Sequence, residues 1–404
     1  MPQQTCKLAL DDGLVFTGTA FGATGTREGE VVINTAMLGY EGILADPAHA
    51  GQIVTMTYPQ IGNVGVSADD ADLAESLGQC KLSGFIVRDV SPIVSNFRKT
   101  LSLDEFLQRA GVIGITGIDT RALARHLRTR PGGNGVLSTD ILDDTELVRL
   151  AQAVPPMAGR DLVSAVTPKE ACRFEDRAGR PAPLPRETGR TFRVVAVDCG
   201  TKRSVLRNLV DAGCDVHVVP ASASAEEILA HNPEGVFVSN GPGDPAAVTA
   251  TVQTLRDLLG RVPMFGLGLG QLLLALAMGG RTFALPLGHR GGNLPVRNQG
   301  TGTVEITSQD HGFAADSASL AAAGATVTHV NLNDQTVEGF THRDKAAFGV
   351  QYLPDAAPGP HDATYFFDCF RAIMATGQAP TAESMHAAQE QLRIAHDEAN
   401  RSAR

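Results

Sequence analysis

Residues 192–240 read FRVVAVDCGTKRSVLRNLVDAGCDVHVVPASASAEEILAHNPEGVFVSN, and the alternation in this stretch decides the fold class. A short buried-type run at 193–197 precedes a helical pattern over 202–212, a second strand at 216–220, a helix at 225–231 and a third strand at 235–239. A helix over 245–259 and a strand at 263–266 continue the series. Strands and helices alternating at this spacing imply an α/β unit built on a mainly parallel, open twisted sheet with right-handed crossovers.

Upstream the rhythm differs. Alternating runs at 7–10 and 15–19, separated by Asp11-Asp12-Gly13, predict a β-hairpin, and further strands are expected at 31–34 and 52–57. Helices are expected at 103–111 and 120–127, the latter capped by Asp119 or Thr120. This gives a mixed α+β domain over 1–153. The pattern loosens over 154–190, where the Pro-rich RPAPLPRETGR at 180–190 breaks helix and strand alike, so the interdomain linker is placed there. The α/β domain then spans 191–378. The Ala-, Glu- and Gln-rich stretch 379–404 reads as a polar, helical, solvated or loosely docked tail.

Composition narrows the function classes. A chain of 404 residues is long enough for two cores. The formal net charge of −10 disfavours nucleic acid as a partner, since phosphate binding needs clustered Lys and Arg. With no long apolar run and no charged-then-apolar leader, neither membrane nor export is expected. Cys6, Cys80, Cys172, Cys199, Cys214 and Cys369 form no C-x-x-C pair. Reduced thiols in a cytoplasmic protein, with no metal site, are therefore the expectation.

Ligands of open parallel sheets bind beyond the carboxyl ends of the strands. Two glycine-rich turns lie there. Ser239-Asn240-Gly241-Pro242-Gly243-Asp244-Pro245 offers bare backbone amides to an oxyanion, or is simply a tight turn. Gly266-Leu267-Gly268-Leu269-Gly270 has the form of the strand-to-helix elbow on which α/β enzymes display a Ser or Cys nucleophile. Its centre is Gly268, which has no side chain. The spacing is not that of a G-x-G-x-x-G dinucleotide loop, and no G-x-x-x-x-G-K-[ST] occurs.

Five stretches together resemble the small subunit of carbamoyl-phosphate synthetase. They are residues 34–62 (NTAMLGYEGILADPAHAGQIVTMTYPQIG), 239–245 (SNGPGDP), 288–296 (GHRGGNLPV), 309–313 (QDHGF) and 348–362 (FGVQYLPDAAPGPHD), in the family's order. The resemblance implies an N-terminal small-subunit domain followed by a class I glutamine amidotransferase-like domain. It also implies a large-subunit partner that carries ATP, Mg and the synthesis of carbamoyl phosphate, a precursor of pyrimidines and arginine.

The family's glutaminase uses a Cys in Gly-Ile-Cys-Leu-Gly-His-Gln, with a base and an orienting carboxylate in His-Pro-Glu. Matched position by position, these roles fall on Gly268, Leu353 and Asp355. Glycine and leucine supply neither thiolate nor base, and Asp355 is left as an orienter with nothing to orient. The substrate pocket departs too: Ala48, Gln271, Leu272 and Asp310 replace the family's Ser, His, Gln and Asn. Gly241, Gly243, Leu269, Gly312 and Phe313 match it. Seven departures in one site suggest drift after the function lapsed.

Cys199 is the nearest alternative nucleophile in topology, but Asp-Cys-Gly after a buried strand fits a packing role. His311, His342 and His361 could titrate, yet none takes the vacated base position, and His311 matches the family's own histidine. The expectation is a glutaminase-dead partner subunit. A sensor or scaffold binding another small amine or amino acid, and a glutamine-hydrolysing small chain of the usual kind, are the competing readings.

Overall fold

The structure, a computed structural model, describes residues 4–67, 80–130, 132–175 and 190–402. The chain divides into two compact units after Leu162. Each is built around its own core.

In the first unit, the expected hairpin forms between β1 (Thr5–Leu10) and β2 (Val15–Gly22). It is followed by β3 (Thr26–Asn34), β4 (Gln52–Met56), the two-residue β5 (Gln60–Ile61), β6 (Gly84–Ile86), the short β7 (Asp89–Val90), β8 (Ile113–Thr116) and β9 (Asn134–Ser138). Seven of these strands close a barrel in the order β1-β2-β8-β6-β4-β3-β9. Closure pairs Leu8 with Leu137 and leaves no open edge in that sheet. The barrel was not legible in the sequence, because its closing pair joins the first strand to the last. Leu8, Ile53, Ile86, Ile115, Leu123 and Leu137 fill one core cluster. The helix Leu103–Ala110 is held by a Ser102/Glu105 capping box, and Thr120–Thr129 by Asp119 accepting from Ala122 N–H.

The second unit begins inside the stretch expected to be linker. Thr167 Oγ1 donates to the Asp198 carbonyl, and β10 (Cys172–Arg173) pairs antiparallel with a strand of the main sheet. The linker is thus shorter than 154–190: Val154 belongs to the first unit, where its carbonyl accepts from Asn134, and 163–175 belongs to the second. Most of the Pro-rich segment, 176–189, lies outside the described residues.

The predicted α/β series follows as β11 (Phe192–Asp198), β12 (Cys214–Pro220), β13 (Gly235–Val238) and β14 (Met264–Leu267), with helices Arg203–Asp211, Ala225–Ala230 and Thr249–Leu258 between them. The helix expected over 245–259 is divided: Asp244 caps a single turn at Pro245–Ala247, and the helix proper starts after Val248. Beyond the helix Leu269–Ala277 come β15 (Thr282–Asn298), β16 (Val304–Ala315), β17 (Thr326–Asn331), β18 (Val337–His342) and β19 (Ala347–Val350). The sheet order is β10-β12-β11-β13-β14-β19-β18-β16-β15-β17. The strands from β12 to β19 are parallel, as expected, and an antiparallel half continues from β18.

Phe265 stacks on Phe348 at 4.5 Å between centroids and meets Phe237 edge-on at 5.4 Å, so the central strands share one aromatic core. The tail is helical, as Ala382–Ser402, but it is docked rather than solvated. Met385 and Leu392 are buried in the main core, and Gln389 Nε2 donates to Glu305 at 2.7 Å.

Candidate functional site

The elbow forms where β14 meets the helix Leu269–Ala277. Gly268 is the N-cap of that helix, at φ 55° and ψ −114°. Its N–H donates to the Val350 carbonyl at 2.9 Å, and Gly270 N–H donates to the Ser239 carbonyl at 3.0 Å. The flanking glycines are dictated by close approach. A Cβ on Gly266 would lie 2.6 Å from the Gly270 carbonyl oxygen, and one on Gly270 would collide with the carbonyl of Val238. Gly268 is less crowded: a Cβ would press on Asn240 Cβ at 3.2 Å and stand 3.7 Å from the Gln351 carbonyl oxygen. The strand-to-helix turn expected of the elbow is thus formed, with a glycine at its tip.

The base position lies beside it. Leu267 pairs with Val350 across the parallel β14–β19 ladder, so residue 268 and the segment from 351 onward leave the same edge of the sheet. That segment is firmly held. Leu353 N–H donates to the Ser308 carbonyl at 2.8 Å, and Tyr352 Oη donates to Glu305 at 2.8 Å. Leu353 is buried and carries no proton acceptor.

Asp355, expected to be an orienter with nothing to orient, has other work. Its Oδ2 lies 2.8 Å from Lys202 Nζ and accepts from Ser204 Oγ at 2.7 Å. Both charged side chains are almost wholly buried, at 2% and 1% exposure, which makes the pair structural. Lys202 also donates to the Ala357 carbonyl at 2.7 Å. No local pattern in the sequence signals this pairing, whose partners lie far apart in the chain.

Elsewhere the pocket positions have found internal partners. Asp310 is opposite Arg290 in the β15–β16 register, with Oδ1 3.3 Å from Nε. The same guanidinium lies near Gly312, where a Cβ would stand 3.4 Å from Nη2. Gln271 and Leu272 are buried in their helix, and the Gln271 amide has no hydrogen-bond partner. Gly243 has φ 92°, and Gly241 is obligatory because a Cβ there would collide with the Cys199 carbonyl. Leu269 and Phe313 are buried. Ala48 lies in the first unit, where its N–H donates to Asp46 in the turn Pro47–His49.

Cys199 is buried, and its N–H donates to Ser239 Oγ, consistent with packing. Among the described residues no disulfide joins any of the six cysteines. His342 is also buried. His311, one of the three histidines noted in the sequence, joins a polar cluster with His289 and Glu338, which sequence spacing had not indicated. Burial lowers the His311 pKa to about 4. Among the described residues no helix is long and apolar enough to cross a membrane.

Two family models match the chain: "Carbamoyl-phosphate synthase small chain, CPSase domain" over residues 8–137 and "Glutamine amidotransferase class-I" over 195–373. Similar proteins include the carbamoyl phosphate synthase small chain of Syntrophotalea carbinolica, 51% identical over 91% of this chain and 97% of that one. The small chain of Rhodopirellula baltica is 48% identical over 92% and 96%. That of Synechocystis sp. is 46% identical over 93% and 97%.

Proposed function

We propose, proceeding from the premise that this chain belongs to the carbamoyl phosphate synthase small-chain family, that it is a small chain without glutamine hydrolysis of its own. Its role is that of a non-catalytic partner to a large chain, which makes carbamoyl phosphate from bicarbonate, ATP and free ammonia. ATP and its Mg are bound by that partner.

One observation carries the reading: an intact elbow with Gly268 at its tip, beside a base position filled by Leu353. Amide hydrolysis through an acyl-enzyme needs a nucleophile to attack the carbonyl carbon and a base to take its proton. A neighbouring group does not restore either role. Asp355 is committed to Lys202 and Ser204, and Asp310 to Arg290. Each lost hydrogen bond to a charged group of glutamine is worth about 1.5–3 kcal/mol, so the altered pocket would also bind that substrate poorly.

The test is glutamate release from glutamine by the purified chain, alone and with its large chain. The expected result is no rate above background. Thiol-dependent hydrolysis by the native chain would overturn the reading. A large chain that neither binds this chain nor responds to it would instead favour a sensor or scaffold.

A further inference from the structure

Three side chains from three strands of the second unit converge at one point. His289 on β15 and His311 on β16 are directly opposed in the antiparallel register, and their rings meet edge to face at 4.9 Å. Glu338 on β18 lies between them. Its Oε1 is 3.3 Å from His289 Nδ1, and its Oε2 is 3.9 Å from His311 Nε2. One ligand-type atom from each residue falls within 4.8 Å of the others.

The outer hydrogen bonds give this cluster its meaning. His289 Nε2 is 2.8 Å from Asp334 Oδ2, so its proton sits on that nitrogen, and the inward Nδ1 lone pair has Asn331 Nδ2 as its present donor at 3.3 Å. His311 Nδ1 is 2.9 Å from the Phe313 carbonyl, which only accepts, so its Nε2 lone pair also faces inward. Metal-ligating histidines are held this way, with the outer N–H on a carboxylate or carbonyl.

Inside, the carboxylate is only partly satisfied. Glu338 is fully buried; Asn331 Nδ2 donates to its Oε1 at 2.8 Å and also lies 3.3 Å from His289 Nδ1, whereas Oε2 has no hydrogen-bond partner among the described residues. Gln309 Oε1 adds another acceptor 3.1 Å from His311 Nε2. The neighbouring cation Arg290 is paired with Asp310. A buried carboxylate oxygen without a donor is unfavourable unless something electron-poor lies against it.

We propose that His289, His311 and Glu338 form a binding site for one divalent transition cation, with zinc the best match. Two imidazoles and one carboxylate are a zinc ligand set that leaves a fourth position open. Metal–ligand distances of about 2.0–2.1 Å place tetrahedral ligand atoms about 3.3 Å apart. His289 Nδ1 already stands at that distance from Glu338 Oε1, and His311 Nε2 stands 3.9 Å from the other oxygen, Oε2, so the set closes when the carboxylate turns or offers both oxygens. Mg, which prefers octahedral oxygen ligands, fits poorly. Asp334, whose side chain is 40% exposed, marks the route in. The bound cation would tie β15, β16 and β18 together beside the altered pocket.

The test uses the full chain carrying Cys172→Ser, because Cys172 is the exposed thiol, after stripping with a chelator. Zinc chloride is titrated against a chromophoric chelator, and cobalt chloride is followed by its visible spectrum. The expected result is one zinc per chain and a cobalt spectrum without a thiolate charge-transfer band. Asp334→Asn should weaken zinc about 10–100-fold, and His289→Asn or Glu338→Gln at least as much. Asp334→Asn changes a half-exposed side chain, so it keeps the test valid if Glu338→Gln does not fold. Failure to bind zinc stoichiometrically, or equal affinity in Asp334→Asn, would overturn the proposal.

Discussion

Gly268 carries a backbone conformation, φ 55° with ψ −114°, that side-chain-bearing residues adopt only under strain. Space adds a smaller obstacle, since a Cβ would meet Asn240 Cβ at 3.2 Å and that neighbour would have to yield by a few tenths of an ångström. Gly268→Ala and Gly268→Cys should each therefore destabilise the fold by about 1 kcal/mol or more through backbone strain. Urea unfolding checks this, and unchanged midpoints in both variants would mean that the elbow is relaxed. Gly268→Cys should also fail to restore hydrolysis, because residues that act as a catalytic unit are strongly non-additive and Leu353 still supplies no base. The Lys202–Asp355 pair gives a second expectation at this scale. Lys202→Met leaves a buried carboxylate without its counter-ion and should cost about 3–5 kcal/mol, whereas Lys202→Met combined with Asp355→Leu should recover much of that loss. A thermal-unfolding cycle over the two single variants and the double variant measures it. Strictly additive losses would show that the ion pair is not a coupled unit. Gly268 and Leu353 were legible in the sequence because a local motif fixes their positions. The partners of Asp355 and Asp310 were not, because each is chosen by strand register and crossover geometry across long separations.

Among the elements, the tail helix Ala382–Ser402 shows where periodicity misleads. Its few large apolar residues suggest weak docking, yet Met385 and Leu392 reach the core beneath the sheet. The anchor is polar as well. Glu305 accepts from Tyr352 at 2.8 Å, from Tyr365 at 2.9 Å and from Gln389 at 2.7 Å, so one buried carboxylate joins β16, the segment carrying the vacated base position and the tail. Burial beside that carboxylate holds both phenols well above their ordinary pKa, so they remain donors throughout the neutral range. Met385→Ala should lower stability by about 2–5 kcal/mol, the usual cost of emptying a core position. Thermal unfolding would detect this, and a change below about 0.5 kcal/mol would contradict the docking described here. The parallel strands and their helices were readable because each is a short apolar run with helical patterning between. The long β15 and β16 were not. Their burial alternates irregularly, with register shifts between Ala284 and His289 and between Gly291 and Leu294, so no clean period of two survives.

At the level of the whole molecule, the proposed reading has a chain that keeps both small-chain domains, with Gly268 and Leu353 at the matched nucleophile and base positions, serve its partner without supplying ammonia. Retention of the elbow backbone, of the glycines at 241, 243 and 312, and of the strand that once presented the base is consistent with a domain still selected for its shape. The division into two units was foreseen from the change of rhythm near residue 190, but the boundary after Leu162 was not, because residues 163–175 join the second unit through isolated contacts with no period of their own, among them a two-residue strand, Thr167 and the Phe174 ring. The most direct test reconstitutes this chain with its large chain and supplies bicarbonate, ATP and one labelled nitrogen source at a time. Formation of labelled carbamoyl phosphate is then followed by mass spectrometry. Glutamine labelled with nitrogen-15 at its amide should give no labelled product, whereas nitrogen-15 ammonium should give it readily. Labelled carbamoyl phosphate from glutamine, in a preparation free of any other glutaminase, would contradict the account.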